Sequence, residues 1–201
     1  MADPLDAVLE EARTLGFLGP GAAGDHRRHA EGFLVLLDPP PRLAVDLGAG
    51  GGVPGLVLAL ALPESRWVLL DAMAKRTAFL AEAVRRLGLD DRVAVRTGRA
   101  EEAGRDPAVR GQADAVVARG FGPPAVTAEC AAPLVRAGGV VIVSEPPGGA
   151  DRWPAGPLGE LGLRLDARAD GPPALVRLRQ GHLVGPRYPR RTGVPSKRPL
   201  W

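Results

Sequence analysis

The stretch Ala44–Gly55, "AVDLGAGGGVPG", sets five glycines within twelve residues directly behind an apolar run. An apolar run that closes on an acid and then on glycines reads as a buried strand, "RLAVDLG", turning sharply into a helix. Glycine tolerates positive φ and lets main chain approach a ligand closely. The helix, "PGLVLALALP", opens at Pro54, a favoured first-turn residue, and leaves free N–H groups facing the turn. Such a bend is a place where a small molecule can lie against bare backbone.

Downstream, short β-rich runs alternate with helical stretches. "RWVLLDA" reads as a strand, "AKRTAFLAEAVRRLGL" as an amphipathic helix ended by Gly88, and "RVAVRTG" and "ADAVVARG" as strands. "PPAVTAECAAPLVRAGG" reads as a helix running from its prolines to the paired glycines, and "VVIVSE" as the next strand. "LRLDARAD" and "ALVRLRQG" are expected to close the sheet as an antiparallel pair. The alternation predicts an α/β protein with a doubly wound, mostly parallel sheet and antiparallel edge strands. "PPGGADRWPAGPLGEL" reads as a mobile loop with a short helix. Upstream, "LDAVLEEARTLGFLG" and "HRRHAEGFLVLL" form a short helical extension, closed by "DPPPR". The organisation expected is residues 1–41 as that extension and 42–201 as the main domain, with a basic tail over about 181–201.

The totals narrow the class. A chain of 201 residues builds one full core, and 45% hydrophobic with 24% charged residues is ordinary for a globular protein. No apolar run nears the roughly 20 residues that span a bilayer, and the acidic start is unlike a signal peptide, so a cytoplasmic location without membrane attachment is expected. Cys130 is the single cysteine, which excludes a disulfide framework and a thiolate metal cluster, and it reads as a small helix-core residue. His26 and His29 stand three apart but lack acidic or cysteine partners, so no metal site is expected. Five basic residues and no acid lie in 181–201, so the net charge of +3 becomes −2 without that tail.

The ligand follows from what surrounds the glycines. A tight turn with no ligand and a nicotinamide dinucleotide turn are both compatible with glycines alone. Pro54 interrupts the dinucleotide spacing, however, and Asp46 before the turn suits a cationic ligand or an ordered water. Asp71, about twenty residues on at a strand end, is placed for ribose hydroxyls, and the Arg99–Glu102 turn, with Ala100 and Glu101, for an adenine edge. Asp46, Gly48, Gly50, Gly52, Asp71, Ala100 and Glu101 together suit S-adenosylmethionine better than a dinucleotide.

"VDLGAGGGVPGL", "LLDAMAKRTAFL", "GRAEE", "DAVVARGF" and "YPRRTGVPSKRPL" together resemble the glucose-inhibited division protein B family. These are bacterial small-subunit ribosomal RNA methyltransferases that act on guanine N7. The resemblance runs from about Leu43 to Leu200 and implies a Rossmann-like class I methyltransferase fold, S-adenosylmethionine as cofactor, and ribosomal RNA or a small-subunit precursor as partner. By the same resemblance Arg119 acts at the site, beside the cofactor and toward the target guanine or its phosphate. A structural pairing of Arg119 with Asp114 is the alternative. Phe121 is placed to stack on an extruded base or to fill the core. Lys75 and Arg76 are expected to cover the cofactor or touch RNA phosphates, a solvated helix face being the alternative. Arg190, Arg191, Lys197 and Arg198 are expected on RNA phosphates, the tail lying extended along the backbone with Tyr188 and Trp201 as anchors, with a disordered charged end as the alternative.

Guanine N7 carries its own lone pair and no proton, so methyl transfer to it needs alignment more than a general base. Three features depart from the family: the short N-terminal part keeps only "RHAEGF" of its signature, Gly120 replaces an alanine, and Glu145 stands where the family has lysine. A carboxylate beside a phosphate at about 4 Å costs about 4 kcal/mol at an effective dielectric near 20. Glu145 and the nearly neutral body leave open the same fold methylating a small molecule or another nucleic acid, and a non-catalytic RNA-binding or ribosome-associated module that keeps the fold stands as a second alternative.

Overall fold

The computed structural model describes residues 3–146 and 152–201. Seven strands form one sheet in the order β3-β2-β1-β4-β5-β7-β6, where β1 is Leu43–Leu47, β2 Arg66–Asp71, β3 Val93–Thr97, β4 Ala113–Ala118, β5 Val135–Glu145, β6 Leu163–Ala169 and β7 Ala174–Gln180. The first five are parallel, and β7 runs antiparallel to both β5 and β6. This is the doubly wound α/β sheet with antiparallel edge strands that the sequence predicts. Strand order reverses between β1 and β4, so their carboxyl ends open a crevice where ligands settle in this architecture.

Side-chain alternation along the strands builds a core on each face. Ala44, Trp67, Leu69, Ala115 and Val117 join one cluster, whereas Val45, Leu47, Leu70, Val116 and Ala118 join the other. The first face is covered by α1 (Pro4–Thr14), α2 (Ala23–Glu31), a 3-10 turn at Gly32–Leu36, α3 (Gly55–Ala61) and α4 (Ala74–Arg86). Asp3 caps α1 by accepting from Leu5 N–H at 2.9 Å, with Pro4 in the first turn. Leu5, Val8, Leu9 and Ala12 recur at helical spacing and are buried. Each fully buried leucine contributes about 1.5–3 kcal/mol, so the described part of this extension, residues 3–41, is a covering layer on the sheet. The opposite face carries α5 (Ala100–Ala103), α6 (Pro124–Ala131), α7 (Ala155–Glu160) and the chain end with α8 (Val194–Lys197). Among the described residues no helix is long and apolar enough to cross a membrane.

Two expectations need correction. The helix beginning at Pro124 does not reach the paired glycines: it ends at Ala131, and Val135 already belongs to β5. Pro133 is the cause, because it lacks an N–H and restricts the residue before it. Val135 then pairs with Ala113, and a bulge over the next residues restores the register at Val140↔Ala115. Gly139 permits that bulge, since a Cβ there would lie 2.7 Å from the Asp114 carbonyl. The tail is also not extended, for Val194–Lys197 is helical and folds back on the body. The loop expected after Pro146 falls largely in 147–151, outside the described residues.

Candidate functional site

The crevice at the ends of β1 and β4 holds two adjoining cavities. The first, of about 190 Å³, runs from Gly48 past Asp71 and the Gly98–Glu101 turn to Phe121, Val126, Cys130 and Ser196. The second, of about 330 Å³, is walled by Phe17, Leu18 and Gly19 on one side and by Ala49, Gly50, Gly51, Arg76, Arg119 and Gly120 on the other. Gly48 borders both.

The glycine turn makes this junction. Gly48, Gly50 and Gly52 all have positive φ, at 77°, 53° and 92°. At Gly48 a Cβ would also lie 2.7 Å from the Phe121 ring, so a side chain there would close the passage between the cavities. Asp71 tightens the same turn. Its Oδ2 accepts the Gly50 N–H at 2.9 Å and its Oδ1 accepts the Met73 N–H at 2.8 Å. Each oxygen keeps a lone pair for a hydroxyl donor, as a vicinal diol requires. Ala100 and Glu101 form the far wall, where Glu101 Oε1 accepts the Gly193 N–H at 2.8 Å. Cys130 lies at the back, and burial pushes its thiol well above the usual range. A bare glycine junction, a carboxylate facing an open cavity and a mixed wall that includes Gly98, Ala100 and Val126 fit an adenosyl group.

Asp46 sits differently from what its position in the chain suggests. It is 1% exposed and turned toward the start of α3, its Oδ2 accepting the Gly55 N–H at 2.8 Å. Its Oδ1 has no partner among the described residues. Burial raises its pKa to about 7, against the Gly55 hydrogen bond, and the neighbouring Asp71 adds to the rise. It borders neither cavity and acts on the turn through α3.

Arg119 leaves the end of β4 and lines the second cavity. It does not pair with Asp114, which instead accepts from Arg136 Nε at 2.6 Å and from the Arg42 and Leu43 amides at 2.9 Å. Its partner is His26 of α2, with 2.6 Å between the guanidinium and Nδ1. Burial and the charge of Arg119 lower the pKa of His26, and the same causes with His26 added lower that of His29 to about 4. In the sequence His26 stands out only as one of a pair with His29, and nothing there links it to a residue 93 positions away. Among the described residues no cluster of three His, Cys, Asp or Glu side chains is arranged to hold a metal.

The remaining basic candidates divide. Arg76 reaches 3.6 Å from Asp71 Oδ2 and lines the second cavity, while Lys75 beside it is exposed. Arg190 is committed to the body: its amide, Nε and guanidinium donate to Glu129, a fully buried carboxylate, at 2.8, 2.8 and 2.6 Å. Arg191, Lys197 and Arg198 are exposed, and Lys197 and Arg198 directly follow Ser196, which lies in the wall of the first cavity. Tyr188 is buried with its hydroxyl on Glu160, and Trp201 Nε1 donates to the Arg152 carbonyl at 3.0 Å, so both anchor the chain end. Glu145 is likewise paired internally, with Arg152 at 3.3 Å and its side chain 5% exposed.

Comparison with known proteins bears on this geometry. Residues 33–145 match the family model described as rRNA small subunit methyltransferase G. A ribosomal RNA small subunit methyltransferase G of Synechococcus sp. (strain WH7803) is 36% identical over 174 residues, covering 80% of this chain and 66% of the relative. The protein of that name from Moorella thermoacetica is 35% identical over 182 residues, covering 84% and 73%. The chain thus spans about two thirds to three quarters of the length of these relatives. Among solved structures, an O-methyltransferase from Bacillus cereus in complex with SAH superposes with a TM-score of 0.63 at 18% identity, covering 89% of this chain and 90% of that one. Cofactor-bound Rv0187 from MTB gives 0.62 at 21% identity, covering 90% and 91%. These two likenesses carry the fold alone.

Proposed function

This chain belongs to the rRNA small subunit methyltransferase G family, and from that premise we propose that it transfers the methyl group of S-adenosylmethionine to N7 of a guanine in 16S, small-subunit, ribosomal RNA. The observation that carries the reading is the pair of cavities joined at Gly48, one bordered by a carboxylate and the other by arginines. When bound, S-adenosylmethionine would supply a methyl on a sulfonium for in-line attack by a neutral lone pair, the sulfur leaving as a neutral thioether.

The residues divide that work by position. Asp71 takes the ribose hydroxyls on its free lone pairs, and Ala100 and Glu101 border the adenine. Gly48 lets the reacting centre pass backbone with no side chain between. Guanine N7 brings its own lone pair, so the chain supplies alignment and exclusion of water, worth up to about 7–11 kcal/mol. Arg119 donates to O6 or to a backbone phosphate and leaves N7 free. Phe121, packed against Gly48, offers a face for the extruded base. Arg191, Lys197 and Arg198 draw the RNA to the rim. The substrate sets the place of action in the cytoplasm.

The pairing of Glu145 Oε1 with Arg152 at 3.3 Å supports the ribosomal acceptor, because part of that carboxylate's charge is answered within the protein. The deciding experiment compares N7-methylguanosine in small-subunit RNA from cells with and without the gene. One site lost on deletion and restored by the purified protein with S-adenosylmethionine supports the reading; identical maps end it. Calorimetry with the cofactor separates an enzyme from a binding module, since absence of heat at millimolar cofactor excludes catalysis.

A further inference from the structure

A guanidinium on a long, flexible stem has many orientations, and alignment catalysis at the second cavity requires one of them. Arg119 has five N–H donors and no acceptor. One donor is fixed by His26 Nδ1 at 2.6 Å, and the opposite ring nitrogen, Nε2, lies 3.1 Å from the Gly19 carbonyl. The guanidinium cannot accept and the carbonyl cannot donate. Nδ1 must therefore carry the lone pair and Nε2 the proton. A single neutral tautomer satisfies both neighbours, whereas the imidazolium would set a second N–H against the guanidinium. His26 is 3% exposed, and both its burial and the adjacent cation favour the neutral ring. Gly19 belongs to the Phe17–Gly19 segment that forms the opposite wall of the same cavity. One imidazole thus ties the arginine on one wall to the main chain of the other.

We infer that His26 is a positioning residue for the methyl acceptor: it holds Arg119 at a fixed angle and distance from the N-terminal wall of the second cavity. The inference rests on the assignment of Arg119 to the acceptor side. It makes the N-terminal layer part of the site, although that layer reaches it through a histidine outside "RHAEGF". A histidine that merely filled space between α2 and the sheet would give a different outcome on substitution, affecting folding or cofactor binding and not the angle of Arg119.

Three variants separate these cases. His26→Asn places an amide oxygen near the position of Nδ1 and keeps the acceptor for Arg119. His26→Gln places its amide near Nε2 and keeps a donor for Gly19 while losing Arg119. His26→Ala removes both. The readouts are kcat and KM for undermethylated small-subunit RNA, cofactor affinity by calorimetry, and melting temperature. Losing a hydrogen bond to a charged group corresponds to roughly ten- to hundredfold in rate. The expected result is that loss in kcat for the Ala and Gln variants, recovery by Asn to within about fivefold, and cofactor affinity unchanged within about twofold throughout. Normal kcat in the Gln variant, or a loss in Asn as deep as in Gln, overturns the inference, as does cofactor affinity falling in step with rate. Should the Ala variant fail to fold, the Asn–Gln comparison still decides. A wild-type protein that binds cofactor yet methylates no small-subunit RNA overturns the functional reading and this inference with it, whereas normal wild-type turnover with indifferent variants overturns this inference alone.

Discussion

Asp71, in the wall of the first cavity, and Gly50, in the wall of the second, are joined directly: the carboxylate assigned to the cofactor's sugar accepts the amide of the glycine turn assigned to admit it, at 2.9 Å. The acid therefore does two things, shaping the turn and facing the ligand. Asp71→Asn keeps the volume and one acceptor oxygen, and Asp71→Ala removes both. Cofactor affinity is expected to fall about tenfold or more in each, in line with loss of a charge-assisted bond of about 1.5–3 kcal/mol, with the alanine variant weaker still because the turn loosens. Calorimetric titration with S-adenosylmethionine measures this. Affinity preserved in both variants would place the sugar elsewhere.

Gly48 tests the passage between the cavities. Alanine at this position meets two obstacles, a φ of 77° and the Phe121 ring 2.7 Å from the new Cβ. The backbone part costs about 1 kcal/mol and persists in any background, whereas the steric part depends on Phe121. Gly48→Ala combined with Phe121→Ala is therefore expected to melt higher than the sum of the single changes implies, while turnover stays low because Phe121 is gone. Strict additivity in the melting temperatures would show that the ring moves aside freely.

The sheet was legible because its strands are short apolar runs bounded by glycine, proline or acids, and the local pattern agrees with the final pairing. β1, β2 and β4 fall inside the stretches that the sequence marks. The end of α6 was misjudged from the paired glycines, although Pro133 carried the stronger signal. Asp71 and the glycine turn could be placed because their separation is a property of one strand–helix–strand unit. Arg119 with His26 and Arg190 with Glu129 could not, since each pair joins elements far apart in sequence and neither partner's neighbours announce the other. Glu145 shows the same limit: its sign is visible in the sequence, but its pairing with Arg152 is set by the fold.

The Glu129–Arg190 pair fixes the chain end over the first cavity. Glu129 is fully buried, while the Arg190 side chain is 26% exposed and can recover water if released. Removing the arginine therefore strands the costlier charge. Arg190→Ala is expected to destabilise by about 3–5 kcal/mol and Glu129→Gln by less, as read from urea denaturation midpoints. Both should weaken cofactor binding, because Gly193 and Ser196 lose their support. Equal midpoints for Arg190→Ala and wild type would mean that the tail is held by its aromatic anchors alone.

Arg191, Lys197 and Arg198 are exposed, and the proposed function assigns them the long-range attraction of RNA. Replacing all three by glutamine should leave stability and cofactor affinity unchanged but weaken RNA binding. The slope of log affinity against log salt should become shallower by about 0.7–0.9 for each phosphate the variant no longer neutralises. Filter binding of small-subunit RNA across a salt series gives the slope directly. An unchanged slope would move the RNA to another face.

Asp46 gives a dependence on pH whose sign opposes that of His26 and His29. Its carboxyl holds a proton up to about pH 7 in the folded chain, against an ordinary value of 3.8. Between those limits the folded state binds more protons than the unfolded one, so stability from this group declines as pH rises and its ionisation cost is fully present above pH 7. His26 and His29 have lowered values, the latter about 4, so their contribution is complete above pH 6.5 and is lost as pH falls. A single pH scan mixes the two trends, and Asp46→Asn separates them because it removes the acid while keeping an oxygen for the Gly55 amide. Relative to wild type, the variant should gain stability on going from about pH 5.5 to about pH 8, by a few kcal/mol at most, as read from denaturation midpoints. A constant gap between the two proteins at both pH values would mean that Asp46 ionises as freely as it does in water, and that the start of α3 is wetter than its packing implies.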